Sequence, residues 1–173
     1  LVAAADALRA IGNELPAAEL LAAELSSAGL DPVVMQSAPG RGNVVARLHG
    51  SGELPPLLLT AHLDVVEAEP SSWEHPPFCG EVHDGCLWGR GAIDMKNMAA
   101  MSVAIMTRLA REGVKPKRDL IFAGVADEEA GCRHGSLWLC ENHRDLVQSE
   151  FAIGEGGGFN IQVAGKSFFT VQV

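Results

Sequence analysis

Three acidic residues in a row, Asp127, Glu128 and Glu129, follow the apolar run LIFAGVA. Like charges this close repel one another, and each loses hydration wherever the chain is buried. At a site of metal-assisted hydrolysis, one carboxylate of such a pair ligates a cation while its neighbour removes a proton from water. A solvated acidic turn at the start of a helix is the alternative, and it accounts for one or two acids better than for three.

A histidine and an aspartate, His62 and Asp64, close a second apolar run, LLLTAHLD. They are two residues apart, so both side chains point to the same side of an extended chain. A metal-bound histidine usually donates its other ring N–H to a carboxylate, and Asp64 is placed to accept it. Taken alone, the pair equally describes two polar residues where a strand meets solvent.

Two further acids complete the set. Asp94 follows GRGAI and is interpreted either as the N-cap of the helix after it or as a carboxylate able to bridge two cations. Glu155 precedes three glycines, whose backbone is able to curl around a ligand. Histidine with carboxylates suits Zn²⁺, Mn²⁺ or Co²⁺, and the absence of cysteine from the set argues against a purely structural zinc site. The sequence therefore predicts a metal site with the ligands His62, Asp94, Glu129 and Glu155.

Strands alternate with helices along the chain, which predicts βαβ units. We expect strands within 31–36, 43–50, 55–66, 118–126, 151–154 and 166–173, a small hairpin around Asp84-Gly85, and helices within 16–30, 94–113 and 134–146. The fold class is α/β, a three-layer α/β/α arrangement with a mostly parallel sheet flanked by helices. Functional groups of such sheets lie beyond the carboxyl ends of the strands, where these polar residues fall.

Composition excludes several classes of function. The chain has 173 residues and a net charge of −9, which argues against binding nucleic acid or an anionic membrane surface. No apolar run approaches the roughly 20 residues that span a bilayer. The four cysteines form no CxxC pair, which favours free thiols in a reducing compartment. With no basic leader at the start, we expect a cytoplasmic location.

Five motifs in this order resemble a known family: LLLTAHLDVV, W.HPPF, GEV.DG.LWGRGAIDMK, VADEEAG and GEGGG. The resemblance runs from about Asn43 to the end of the chain. It is to the dinuclear zinc hydrolases that include aminoacylase, carboxypeptidase S, carboxypeptidase G, acetylornithine deacetylase and succinyl-diaminopimelate desuccinylase. It implies a zinc-exopeptidase-like fold.

The resemblance also implies the metal arrangement. His62 and Glu155 bind one ion, Asp94 bridges both, and Glu129 binds the second. Two Zn²⁺ ions occupy the full-length site, with Co²⁺ or Mn²⁺ as alternatives.

The reaction implied by the resemblance is hydrolysis of an amide next to a free carboxylate, in a small peptide or an N-acyl amino acid. Glu128 is the general base that deprotonates a metal-bridging water, and it then protonates the leaving amine. Asp64 orients His62.

Members of that family continue into a lid-like dimerisation domain and then return to the catalytic domain, where a late histidine completes the second metal site. Residues 1–173 are therefore expected to form the N-terminal part of one zinc-peptidase catalytic domain, without the lid or the C-terminal segment, and the full-length parent is expected to be a homodimer. His134 is a candidate substitute for the late histidine, although a histidine on a helix surface is the preferred interpretation. Two alternatives stay open: a catalytically incomplete metal-binding fragment, and an aminopeptidase of related fold.

Overall fold

Two stretches of the chain, residues 12–156 and 160–169, are described by a computed structural model. Two glycines of the GEGGG motif, Gly157 and Gly158, and the end of the last expected strand, residues 170–173, lie outside the described residues. The elements follow in this order: α1 (Leu15–Ser27), β1 (Val33–Gln36), β2 (Gly42–Leu48), β3 (Leu57–His62), β4 (Val82–His83), β5 (Cys86–Leu87), α2 (Asn97–Arg111), β6 (Leu120–Val125), α3 (Ser136–Asn142), α4 (Arg144–Val147), β7 (Phe151–Ile153), β8 (Asn160–Val163) and β9 (Lys166–Phe169).

Five strands form the central sheet in the order β1-β2-β6-β3-β7. β3 pairs in parallel with both β6 and β7, whereas β2 is antiparallel to both of its neighbours. Four of the five strands therefore run in the same direction, and the expected mostly parallel α/β sheet is confirmed. β4 and β5 form the expected hairpin at Asp84-Gly85, and β8 pairs with β9 in a hairpin whose first strand was not expected.

Alternating side chains on the central strands supply two separate cores. Val44 on β2 and Phe122 on β6 pack with α1 and α2 on one face of the sheet. Val45 and Ile121, their neighbours along the strands, pack with Leu139 of α3 on the other face. A period of two places successive residues on opposite faces, so each central strand is buried on both sides. The three-layer α/β/α arrangement is confirmed.

The start of the second helix differs from the expectation. Asp94 is not an N-cap: α2 begins at Asn97, and the backbone of Asp94 has φ −111° and ψ 97°, outside the helical region. The local pattern failed because the Asp94 carboxylate is directed to the ring of His62 instead of to the first N–H groups of the helix. Asp94 therefore lies at a kink within the short helical segment Ala92–Lys96 that leads into α2.

The expected helix over 134–146 is two helices. α3 and α4 are separated at His143, whose φ of −139° and ψ of 40° are not helical. None of the helices in the described ranges is long and apolar enough to cross a membrane.

Three adjacent parallel strands deliver the candidate residues to one edge of the sheet. His62 is the last residue of β3, Asp127 comes two residues after β6 ends, and Glu155 comes two residues after β7 ends. Because parallel strands end at the same edge, residues far apart in sequence meet there.

A short loop, residues 126–135, carries the three consecutive acids, and we call it the acidic loop. Its two ends cross so closely that a Cβ atom on Gly135 would overlap the carbonyl oxygen of Ala126. Only glycine fits where the backbones approach in this way.

Replacing Gly135 with alanine is therefore expected to lower the free energy of unfolding by about 3 kcal/mol, because the overlap forces the backbone to move. Urea unfolding measures the change. Gly89→Ala is the control: the nearest atom to a Cβ there is 3.8 Å away, and the expected change is below about 1 kcal/mol. Equal stability of the two variants would contradict the described crossing.

Candidate metal site

His62 is the buried centre of the site. Its side chain is 1% exposed, and its Nε2 atom lies 2.9 Å from Oδ1 of Asp94 and 3.4 Å from Oε2 of Glu155. One donor atom from each of the three residues lies within 4.8 Å of the others. The carboxylates face outward, since the side chains of Asp94 and Glu155 are 64% and 37% exposed. The cluster is thus anchored on the protein side and open to solvent on the other.

The second ring nitrogen of His62 is held from behind. Nδ1 lies 3.0 Å from the main-chain oxygen of Asp64 and 3.4 Å from its Oδ1 atom. When Nδ1 carries the proton, it donates to that carbonyl oxygen and leaves Nε2 free to bind a cation. The expected orienting role of Asp64 stays a prediction, and the closer of its two contacts is through the main chain.

The carboxylate of Asp64 has partners of its own in the acidic loop. The backbone N–H of Glu128 donates to Oδ1 at 3.1 Å, and the N–H of Glu129 donates to Oδ2 at 3.0 Å. Burial raises the pKa of Asp64, but hydrogen bonds from the His62 ring and from these two N–H groups outweigh burial and hold the pKa below the usual 3.8. A buried carboxylate thus joins the histidine strand to the loop that carries the glutamates.

Glu128 and Glu129 are half-buried beside the cluster. Glu129 is outside the group of three within the residues that the structure describes. Burial, followed by the charges of Asp94 and Glu128, raises the pKa of Glu129. Burial, followed by the hydrogen bond with Asp94, raises the pKa of Glu155. The acids oppose one another's ionisation, a conflict that a cation relieves, so a buried imidazole with hard carboxylates fits a divalent ion. The ligand roles stay predictions.

Lys96 is a residue of the site that the sequence reasoning missed. Its Nζ donates to the main-chain oxygen of Leu63 at 2.8 Å. Leu63 lies between His62 and Asp64 in the sequence, so this bond reaches the strand end that carries both residues. Burial lowers its pKa to about 8, against the opposing charges of Asp64 and Asp94. The only sequence signal was its place in the DMK motif, where a lysine is usually interpreted as a surface residue at a helix start.

Asn43 was also missed. It is fully buried, its Oδ1 accepts the N–H of Ala126 at 3.0 Å, and its Nδ2 donates to the oxygen of His134 at 2.9 Å. It therefore clamps the acidic loop near both ends. A polar residue opening the apolar run NVVARL was its signal. His134, the weak substitute ligand, contributes main-chain bonds here, and its ring is absent from the ligand group of the described residues.

A family model described as peptidase family M20/M25/M40 matches residues 58–167, which include all of the candidate ligands. Two relatives are similar in sequence. The N-fatty-acyl-amino acid synthase/hydrolase PM20D1 of Xenopus tropicalis is 38% identical over 104 residues, covering 60% of this chain and 20% of the relative. The succinyl-diaminopimelate desuccinylase of Methylorubrum populi is 37% identical over 131 residues, covering 72% of this chain and 33% of the relative.

Solved structures share the fold. The metallo-carboxypeptidase Sso-CP2 of Sulfolobus solfataricus has a TM-score of 0.71 and 20% identity over 90% of this chain and 37% of its own. Human carnosine dipeptidase 1 has a TM-score of 0.64 and 21% identity over 79% of this chain and 31% of its own. The chain thus spans between a fifth and about two fifths of the proteins it resembles.

Replacing Asp64 with asparagine is expected to lower the free energy of unfolding of the metal-free protein by about 2 kcal/mol, because the NH₂ group that replaces one carboxylate oxygen cannot accept the N–H bonded there. The folded-state pKa is depressed, so the difference is present above pH 3.8 and is lost as the pH falls through the folded-state value. Urea unfolding across pH 3–7 measures it. The exposed Asp31→Asn is the control, and an equal effect in both variants would contradict the assignment.

Proposed function

Because the chain belongs to peptidase family M20/M25/M40, we propose that it forms the N-terminal part of the catalytic domain of a metal-dependent amide hydrolase. The observation that carries the proposal is the convergence of His62 Nε2 with carboxylate oxygens of Asp94 and Glu155 at one sheet edge. The matched region covers 20% and 33% of the two curated relatives, so the activity of a whole protein is part of this proposal.

The ligand assignment gives His62 and Glu155 to one zinc ion, Asp94 to both, and Glu129 to a second. When bound, the ions polarise the substrate carbonyl and make water more acidic. The 3.4 Å separation of His62 Nε2 from Glu155 Oε2 supports the first pair. Co²⁺ and Mn²⁺ suit the same donors.

Glu128 is assigned as the general base. Its backbone is fixed by Asp64, while its side chain is only half-buried and belongs to no ion pair within the described ranges. A carboxylate held this way is able to take a proton from water and return it to the leaving amine. On the buried side of the site, the main-chain oxygen of Asp64 contacts the His62 ring, and the Asp64 carboxylate holds the backbone of Glu128 and Glu129.

The substrate proposed is an N-acyl amino acid or a small peptide with a free carboxylate. Both curated relatives carry names that refer to acylated amino compounds, which favours the N-acyl class. Two alternatives stay predictions: an aminopeptidase of related fold and a catalytically incomplete metal-binding fragment. The homodimeric full-length parent and the cytoplasmic location also stay predictions.

The variant Glu128→Gln in the full-length protein is expected to lose about 10²- to 10⁴-fold in kcat and to keep its zinc, because it removes a proton acceptor and no metal ligand. Hydrolysis of an N-acyl amino acid and metal analysis are measured together. Glu141→Gln, on the exposed surface of α3, is the matched control. Normal turnover by Glu128→Gln would exclude this residue as the base.

Substrate blocking separates the two enzyme classes. Amidation of the substrate's free carboxylate is expected to lower kcat/KM by about tenfold or more, since a charged hydrogen bond is worth roughly 1.5–3 kcal/mol. Acylation of the α-amine is expected to leave hydrolysis intact. Product analysis by mass spectrometry checks both, and cleavage restricted to peptides with a free amine would favour the aminopeptidase.

A further inference from the structure

Asp127 of the acidic loop and two charged residues from elsewhere in the chain, Glu14 and Arg41, form a group outside the ligand cluster. Arg41 lies between two carboxylates: its Nη2 donates to Oδ1 of Asp127, and its Nε lies 3.3 Å from Oε2 of Glu14. The second contact lacks hydrogen-bond geometry, so it is an ion pair only. The side chains of Glu14, Arg41 and Asp127 are 0%, 12% and 7% exposed. We call these residues the buried triad.

The buried triad joins three separate segments. Glu14 directly precedes α1 and accepts the N–H of Gly12 at 3.2 Å through its other oxygen. Arg41 directly precedes β2. Asp127 is the first of the three consecutive acids in the acidic loop, and its Oδ2 accepts the N–H of His134 at 3.1 Å. Both carboxylate oxygens of Asp127 therefore have a partner: Oδ1 accepts from Arg41, and Oδ2 accepts from the N–H of His134.

Asp127 has an unusual backbone. Its φ of 68° and ψ of 20° are left-handed, a conformation that residues other than glycine rarely adopt. Its carbonyl oxygen accepts the N–H of Cys132 at 2.6 Å. Such conformations persist where the surroundings determine them, and they concentrate at functional sites. The turn at Asp127 sets the direction in which the next two residues, Glu128 and Glu129, leave the strand.

Stability alone does not account for the buried triad. Removing charges from water is costly, and well-packed apolar residues often replace a buried ion group without loss of stability. An ion group does fix geometry, because each charge has a defined partner. The triad contacts the acidic loop through Asp127, whereas the Asp64 carboxylate holds the N–H groups of the next two residues, Glu128 and Glu129.

We propose that the buried triad Glu14–Arg41–Asp127 positions the two glutamates of the acidic loop for proton transfer and metal binding. Arg41 and Asp127 are positioning residues that act through the backbone of Glu128 and Glu129. This inference rests on the function proposed for those two glutamates.

A matched pair lies at the opposite end of the same strands. Asp119 directly precedes β6, bonds to Arg47 of β2 at 3.0 Å, and accepts the N–H of Gly50 at 2.8 Å. Like Asp127, it combines an arginine partner with a backbone N–H. It lies far from the sheet edge that carries His62, so Asp119→Asn reports the cost of losing such a pair without touching the acidic loop.

The test compares Asp127→Asn with Asp119→Asn in the full-length protein loaded with Co²⁺, at a temperature where circular dichroism finds both folded. Asp127→Asn is expected to lower kcat at least tenfold, to leave KM within twofold, and to shift the visible absorption of bound Co²⁺. Asp119→Asn is expected to keep the wild-type kcat and spectrum. A folded Asp127→Asn with the wild-type kcat and spectrum overturns the proposal.

Arg41→Lys keeps the positive charge but reaches only one carboxylate, so it provides the second variant where Asp127→Asn does not fold. The same loss of kcat and shifted spectrum are expected, and wild-type values overturn the proposal. A wild-type protein that binds Co²⁺ but hydrolyses neither N-acyl amino acids nor peptides overturns the proposed function. In that case the Co²⁺ spectra of the variants still decide whether the triad positions the ligands.

Discussion

The carboxylate of Asp64 is the connection on which the rest of the site depends. Asp64 lies just beyond β3, and its main-chain oxygen is close to the ring of His62. Its two carboxylate oxygens accept the N–H groups of Glu128 and Glu129. One residue thus relates the histidine to both glutamates. Its position follows from the parallel pairing of β3 with β6, which brings the ends of both strands to the same edge.

Acidic and basic side chains occupy different places around Asp64. Toward solvent, Asp94 and Glu155 face His62 in a crowded acidic group that suits a cation. Half-buried Lys96 supplies a positive charge at the main-chain oxygen of Leu63, and Arg41 supplies another at Asp127, near the start of the acidic loop. The three consecutive acids therefore have distinct surroundings: Asp127 is buried and paired with Arg41, whereas Glu128 and Glu129 are half-buried.

The features that could be predicted from the sequence are those that follow from the pattern of apolar and polar residues. Apolar runs ending in polar residues located the strands, and the parallel sheet then brought His62 and Glu155 to one edge. Of the two interpretations of Asp94, the N-cap of α2 was wrong, because local helix signals contain nothing about the contact with a histidine 32 residues away. Arg41 and Asn43 were missed for the same reason. Their partners lie 86 and 83 residues along the chain, and only the folded sheet brings them together.

His62, Asp94 and Glu155 are proposed to share a divalent ion. Anomalous diffraction at the zinc absorption edge, from crystals of the full-length protein grown with zinc, tests this most directly. We expect an anomalous peak within bonding distance of His62 Nε2 and of carboxylate oxygens from both Asp94 and Glu155. Crystals saturated with zinc that show no peak there, with the three side chains still bonded only to one another, would contradict it.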